Sequence, residues 1–259
     1  MKRIHIFLQL IANLVVGILV LLFIKRYMIY GNITIDIGSW GVFYTVFGVL
    51  YAIIIGFILI STLDKFNNLK RSIDSEVNEI QNVRVLLKYF SNLQKEVINN
   101  VRKALLNYVN SIHTIEWEKM IKKVSLPEFS SDLENVIESV SHLKSEDEND
   151  NIALTSIINI LTRLTECRTK RIYLSNEEIP PPIMKLLIFM SFILVSGFII
   201  MGVQNFWVHI FMVWSLSTTL QLVINLLTDL NSPFVGIWVV EKDPYSEIVG
   251  SIENVITNE

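Results

Sequence analysis

The sequence predicts an all-α membrane protein, with four transmembrane helices and a large cytoplasmic helical domain between the second and the third. Three observations predict it. Of 259 residues, 51% are hydrophobic and 18% charged, against roughly 25% charged in a typical soluble domain. The apolar residues are segregated into four blocks, 4–24, 40–63, 186–203 and 206–227. The 119 residues of 64–182 repeat apolar side chains every three or four positions with charges between them, the spacing of amphipathic helices. The expected organisation is therefore 1–63 for the first two spans, 64–182 for the cytoplasmic domain, 183–228 for the last two spans and 229–259 for a cytoplasmic C-terminal segment.

At 1.5 Å rise per residue the four blocks reach about 27 to 36 Å, enough to cross a hydrocarbon core of about 30 Å. The first follows Lys2 and Arg3 and is stopped by Lys25 and Arg26 rather than by a small-residue cleavage pattern, which predicts an uncleaved anchor. The second runs on into an amphipathic helix carrying Phe66, Leu69, Ile73, Val77, Ile80, Leu87 and Phe90. A further helix carries Val97, Val101, Leu105, Tyr108, Ile112 and Ile115. Ser131 followed by Glu134 predicts a capping box opening the next, with Val136, Ile137, Val140 and Leu143 on it. Residues 144–151 are acidic and read as a loop, and 152–174 as a helix returning to the membrane.

Pro180, Pro181 and Pro182 end that segment and start the third span, because proline suits a first helical turn. Only Gln204 and Asn205 separate the last two blocks, which predicts a tight hairpin. Residues 235–240 read as a short extended stretch, and Tyr245, Ile248, Val249, Ile252, Val255 and Ile256 as a terminal amphipathic helix. Lys65, Lys70 and Arg71 after the second span, with Arg168, Lys170 and Arg171 before the third, place the long connection and both termini in the cytoplasm. The expected location is the cell inner (plasma) membrane, crossed several times.

A net charge of −3 offers no basic footprint for nucleic acid. One cysteine, Cys167, and the scattered His5, His113, His142 and His209 provide no zinc spacing and no disulfide within the chain. No phosphate-binding glycine loop, nucleophile elbow or zinc-protease helix is present, so neither an enzyme nor a metal or other cofactor is expected. Glu116 and Glu118 flank Trp117 two residues apart and face different sides of a helix, and Trp117 reads as a packing residue.

On the second span Gly41, Thr45, Gly48, Ala52 and Gly56 form a small-residue stripe, beside Phe47, Tyr51, Ile55 and Leu59 at intervals of four. Such a face either packs against another helix or, in a symmetric oligomer, makes a hydrophobic constriction. Intramembrane polar residues also fall in stripes: His5, Gln9 and Asn13 on the first span, and Thr218, Gln221, Asn225 and Thr228 on the fourth, leading to Asp229. Hydrogen bonds between helices explain both stripes without transport. His209 reads as a capping or packing residue near the outer boundary.

After the fourth span the chain reads Asp229-Leu230-Asn231-Ser232-Pro233-Phe234-Val235-Gly236. This resembles the Asn-Pro-Phe-Gly element of bestrophins, a family of anion channels, with Ser232 and Val235 inserted. The closer resemblance is to the bestrophin-like family of membrane proteins, on Asp229, Asn231, Pro233, Phe234 and Gly236 together with Tyr108, Glu116-Trp117, Met120, Arg168 and Arg171. It implies a homo-oligomer, a pentamer by resemblance only, that forms an ion channel with Phe47, Tyr51 and Ile55 as neck candidates and a helical cytoplasmic vestibule. The implied partners are other copies of the chain, the lipid bilayer and permeant ions. Calcium-responsive bestrophins continue with an acidic run where this chain has Ile237-Trp238-Val239-Val240, so no calcium clasp is carried over. The long connection holds 16 Lys/Arg and 18 Asp/Glu, a balance that selects neither anions nor cations. The alternative reading is a non-conducting membrane scaffold or signalling protein whose cytoplasmic domain binds a partner.

Overall fold

A computed structural model describes residues 12, 15–20, 22–23, 37–90, 94–127, 130–200, 203 and 205–257. Most of the expected first span, including His5, Gln9 and Asn13, lies outside the described residues, as does Gln204. The described residues form eight α-helices: α1 Ile37–Leu86, α2 Lys95–Ser111, α3 Trp117–Ile121, α4 Ser131–Ser141, α5 Glu148–Asn176, α6 Pro181–Ile200, α7 Phe206–Asn231 and α8 Asp243–Thr257. A 3-10 turn, Leu87–Tyr89, follows α1, and a π turn, Ile112–Glu116, joins α2 to α3. Three of the helices, α1, α6 and α7, are long and apolar enough to cross a membrane.

The chain divides into two compact units. One takes residues up to Asp64, Glu178–Ser232 and Gly236–Trp238, and the other Lys65–Glu177, Pro233–Val235 and Val239–Glu259. The 50-residue α1 runs without a break because residues 64–86 contain neither glycine nor proline.

In the apolar unit, Tyr44 and Tyr51 of α1 meet Leu187, Met190 and Leu194 of α6 and Leu220 and Leu227 of α7 in one buried cluster. Lipid is as apolar as leucine, so this packing depends on close fit and hydrogen bonds rather than on water exclusion. The close fit centres on Gly197, where an added Cβ would lie 1.3 Å from the Tyr44 hydroxyl oxygen. Tyr44 donates there to the carbonyl oxygens of Ile193 (2.9 Å) and Leu194 (3.2 Å). Ile18 of the first block packs beside Ile210 and Val213 of α7.

The starts of α6 and α7 follow from local chemistry. Pro181 and Pro182 have no N–H, and the amides of Ile183 (2.9 Å) and Met184 (3.4 Å) both donate to the Pro180 carbonyl. Asn205 caps α7, its Oδ1 accepting from the amides of Trp207 (3.0 Å) and Val208 (3.3 Å).

In the charged unit the apolar stripes meet. Leu69, Ile73, Ile80 and Val83 of α1 are at most 1% exposed, as are Val101, Leu105, Tyr108 and Val109 of α2. Each such burial stabilises by roughly 1.5 to 3 kcal/mol. α2 packs on α4 and α8, and α3 on α5.

Three local expectations are corrected. The cap of α4 is Ser130, whose Oγ accepts from the Leu133 amide, so Ser131 is the first helical residue rather than the cap. α5 starts inside the acidic stretch read as a loop, because Asp147 accepts from the Asp150 amide at 2.8 Å and acidic groups favour a first helical turn. Residues 235–238 are bends rather than an extended strand, and the Val240 amide donates back to the Pro233 carbonyl at 2.8 Å.

Candidate functional site

Among the described residues, the buried charged side chains Glu76, Glu116, Arg168 and Arg171 gather in the charged unit. Arg168 and Arg171 sit on the apolar stripe of α5 that also carries Ala153, Ile157, Ile160 and Leu164, three or four residues apart, so both guanidinium groups point into the core. Glu76 falls likewise among Leu69, Ile73 and Ile80 on α1. Glu116 closes the π turn, whose wider winding turns it inward while Glu118 stays exposed.

Arg171 donates from Nε to Glu76 Oε2 (2.6 Å) and from Nη2 to Glu76 Oε1 (3.3 Å) and Glu116 Oε2 (2.6 Å). Arg168 Nη2 donates to Glu116 Oε1 (2.8 Å) and to the Pro127 carbonyl (3.2 Å). The hydroxyls of Tyr108 and Tyr245 donate to the two oxygens of Glu76, each at 2.6 Å. Glu76 and Arg171 are fully buried, Arg168 is 2% exposed and Glu116 6%. Two carboxylates and two guanidiniums balance in formal charge, and each of the four carboxylate oxygens accepts at least one hydrogen bond.

The electrostatics follow. Burial works to raise the Glu116 pKa, but the charges and hydrogen bonds of Arg171 and Arg168 outweigh it and hold the carboxyl below its ordinary value. Burial, reinforced by Glu76, pushes Tyr108 and Tyr245 well above the usual tyrosine value. Burial opposes the Arg171 charge, yet Glu76 and Glu116 carry its pKa well upward. Chemically this is a locked joint between α1, α2, α5, α8 and the π turn, with its charges engaged.

Arg168 and Arg171, which count toward orientation from their place before the third span, are core residues. Sequence reasoning had placed Tyr108, Glu116, Trp117, Arg168 and Arg171 in one motif but missed Glu76 and Tyr245. A carboxylate on a buried helical stripe was the available signal for Glu76.

The Asp229-to-Gly236 ending acts by pinning backbone. Asp229 Oδ2 accepts from the Ile237 amide at 3.0 Å, and a Cβ on Gly236 would lie 2.9 Å from Asp229 Oδ1. Asn231 Oδ1 accepts from the Ile179 amide at 2.8 Å. Pro233 supplies the carbonyl for Val240, and Phe234 packs edge-on against Trp117 with ring centroids 5.2 Å apart. Trp117, 6% exposed, also meets Tyr245 at 6.2 Å.

α1 has two apolar faces in the apolar unit. Phe47, Tyr51 and Ile55 turn toward α6 and α7 of the same chain, with Tyr51 5% exposed and bonded through its hydroxyl to Ser191 Oγ at 2.8 Å. Val46, Leu50, Ile53, Phe57 and Ile60 are each at least half exposed. The small-residue stripe serves no close approach among the described residues, since a Cβ at Gly41, Gly48 or Gly56 would meet nothing within 4 Å. On α7, Gln221 Nε2 donates to Asn225 Oδ1 at 2.9 Å, while Trp214 Nε1 and Thr218 Oγ1 are buried without a partner among the described residues. His209 is buried, its Nε2 2.8 Å from the Phe198 carbonyl oxygen.

The family model for the Bestrophin-like domain matches residues 37–245. The fold is similar to two single-substitution variants of a bacterial bestrophin homolog from Klebsiella pneumoniae. One has TM-score 0.77 at 15% identity, covering 98% of this chain and 100% of that one. The other has TM-score 0.73 at 15% identity, covering 98% and 99%. A third similar structure, a variant of a membrane protein, has TM-score 0.72 at 15% identity, covering 98% of this chain and 99% of that one. No relative was found among curated protein sequences.

Proposed function

Because the chain belongs to the bestrophin-like domain family, whose fold and apolar helices point to a membrane location, we propose that it forms a homo-oligomeric ion channel. The observation that carries the reading is the face of α1 bearing Val46, Leu50, Ile53, Phe57 and Ile60: apolar, without a charge from Trp40 to Leu63, and at least half exposed among the described residues. In this reading α1 rings a shared axis and makes its neck between Phe47 and Ile55. The exposed face lines the neck, and Phe47, Tyr51 and Ile55 brace that lining from behind through α6 and α7. A hydrophobic constriction of this kind gates ions by excluding water. The charged helical unit forms the cytoplasmic vestibule, four spans cross the bilayer, and Lys65, Lys70, Arg71 and Lys170 hold the long connection on the cytoplasmic side.

The test is ion flux from liposomes containing the purified oligomer. Flux is expected in the wild type. Leu50→Ala and Ile53→Ala should raise it by widening the constriction, whereas Tyr51→Phe, which keeps the ring and loses one hydroxyl, should change it little. A folded oligomer that passes no ions removes the channel, and responses confined to Phe47→Ala and Tyr51→Ala move the lining to the other face.

A second reading, a non-conducting scaffold, has one observation in its favour. Ile137, Val140, Leu143, Leu154, Ile158 and Leu161 of the charged unit line an open apolar groove of about 370 Å³. Stable capture of one cytoplasmic protein, lost on Ile158→Glu, together with absence of flux, would select it.

A further inference from the structure

We propose that Ile237 and Trp238 are an interfacial anchor that inserts into the headgroup boundary of the bilayer at the C-terminal end of α7, a role independent of conduction.

Both side chains are about half exposed, at 52% and 51%, in a segment with no charged residue between Leu230 and Val240. Their position is fixed rather than trailing, since the Ile237 amide donates to Asp229 Oδ2 on the last turn of α7 at 3.0 Å. At the other end of the same helix Trp207, one residue inside α7, is 76% exposed. From 207 to 229 the helix rises about 33 Å at 1.5 Å per residue. The hydrocarbon core is about 30 Å thick, and tryptophans concentrate at its two boundaries, where the indole buries its ring and keeps its N–H among polar groups. The two exposed indoles therefore bracket α7 at the separation a bilayer requires.

An independent group agrees on which end is the boundary. The Ile179 amide meets Asn231 Oδ1 at 2.8 Å, so the start of α6 lies beside the end of α7. Lys185, exposed one turn into α6, can extend its ammonium back to headgroup phosphates along an apolar stem. A protein partner would need no such match to bilayer thickness, which is why lipid is the occupant favoured here.

The experiment uses the full-length protein in phosphatidylcholine and phosphatidylglycerol vesicles, with Cys167→Ser as background and a nitroxide on Trp238→Cys. Trp207→Cys marks the opposite boundary, and Ile152→Cys, at a residue 60% exposed on α5, supplies the water reference. The ratio of oxygen to nickel-chelate collisions at 238 should be several-fold above that at 152 and comparable to that at 207. A ratio equal to that at 152 overturns the anchor. So does exclusion of both reagents with spin–spin broadening, which would mean that another copy covers the site. Should the labelled variant fail to assemble, quenching by lipids brominated near the carbonyl decides: wild-type fluorescence must lose a component that Trp238→Phe lacks, and equal quenching of the two refutes the proposal.

Discussion

In the apolar unit the buried hydroxyl contacts between helices are neutral: Tyr51 donates to Ser191, which itself donates to the Leu187 carbonyl, and Tyr44 is shared between two carbonyls of α6. In the charged unit Glu76 alone accepts hydrogen bonds from Tyr108, Tyr245 and two nitrogens of Arg171. The contrast reflects what each group would lose on separation. A hydroxyl left without its partner in lipid finds a backbone carbonyl nearby, so the loss is small. A charge left alone in a protein core has no such recourse, and removing one member of a buried pair costs far more than the pair itself contributes. The apolar unit is therefore specified by shape, and the charged unit by pairing.

The largest test of that contrast is Arg171→Leu. It leaves Glu76 and Glu116 short of a cation inside the core and should destabilise the charged unit by about 3 to 5 kcal/mol. Hydrogen exchange followed by mass spectrometry should show α5 and α8 peptides losing protection while α6 peptides keep theirs. Equal loss in both units would erase the distinction.

Shape is tested by Gly197→Ala. The new methyl overlaps the Tyr44 hydroxyl, and overpacking of this kind costs about 1 to 3 kcal/mol. α6 should lose protection, and Tyr44→Leu in the same chain should restore part of it. No rescue would mean that the cost arises elsewhere on α6.

The smallest effect expected is a pH dependence. The Glu116 carboxyl has a folded-state pKa below its ordinary value, so its contribution is complete above the unfolded pKa of about 4.3 and is lost as the pH falls from there through the folded value. Exchange protection around the π turn should be flat from neutrality to about pH 5 and decline below about 4.3, more steeply in the wild type than in Glu116→Gln. The hydroxyl contacts of Tyr51 and Ser191 carry no carboxylate and should not follow that curve.

How much of this was legible in the sequence depended on whether the signal was local. α1, α6 and α7 announced themselves because membrane helices need an uninterrupted apolar run, and the residues from Trp40 to Leu63 are one. α2 and α8 were legible from repeats of three and four. The cap at Ser130 and the start of α5 at Glu148 were not, because several neighbouring serines and acids could each serve and only backbone geometry chooses. The joint around Glu76 was read in fragments. Arg171 is 95 residues from Glu76 and Tyr245 is 169 residues from it, and periodicity carries no record of such pairings. Arg168 and Arg171 count toward orientation in the sequence because they stand with Lys170 before the third span, and nothing local marks them as buried. On α1, periodicity picks out an apolar stripe beside a small-residue stripe without telling which one α6 and α7 cover, and the stripe named for the neck is the one they pack against.

The proline run that opens α6 has a consequence for any anion near it. The first turn of a helix attracts negative charge through its dipole and holds it with amide hydrogens left over from the backbone ladder. Here two of those hydrogens do not exist, and the third is committed to the Pro180 oxygen. This end of α6 therefore presents the favourable field of a helix dipole with its leading amide hydrogens missing or already engaged.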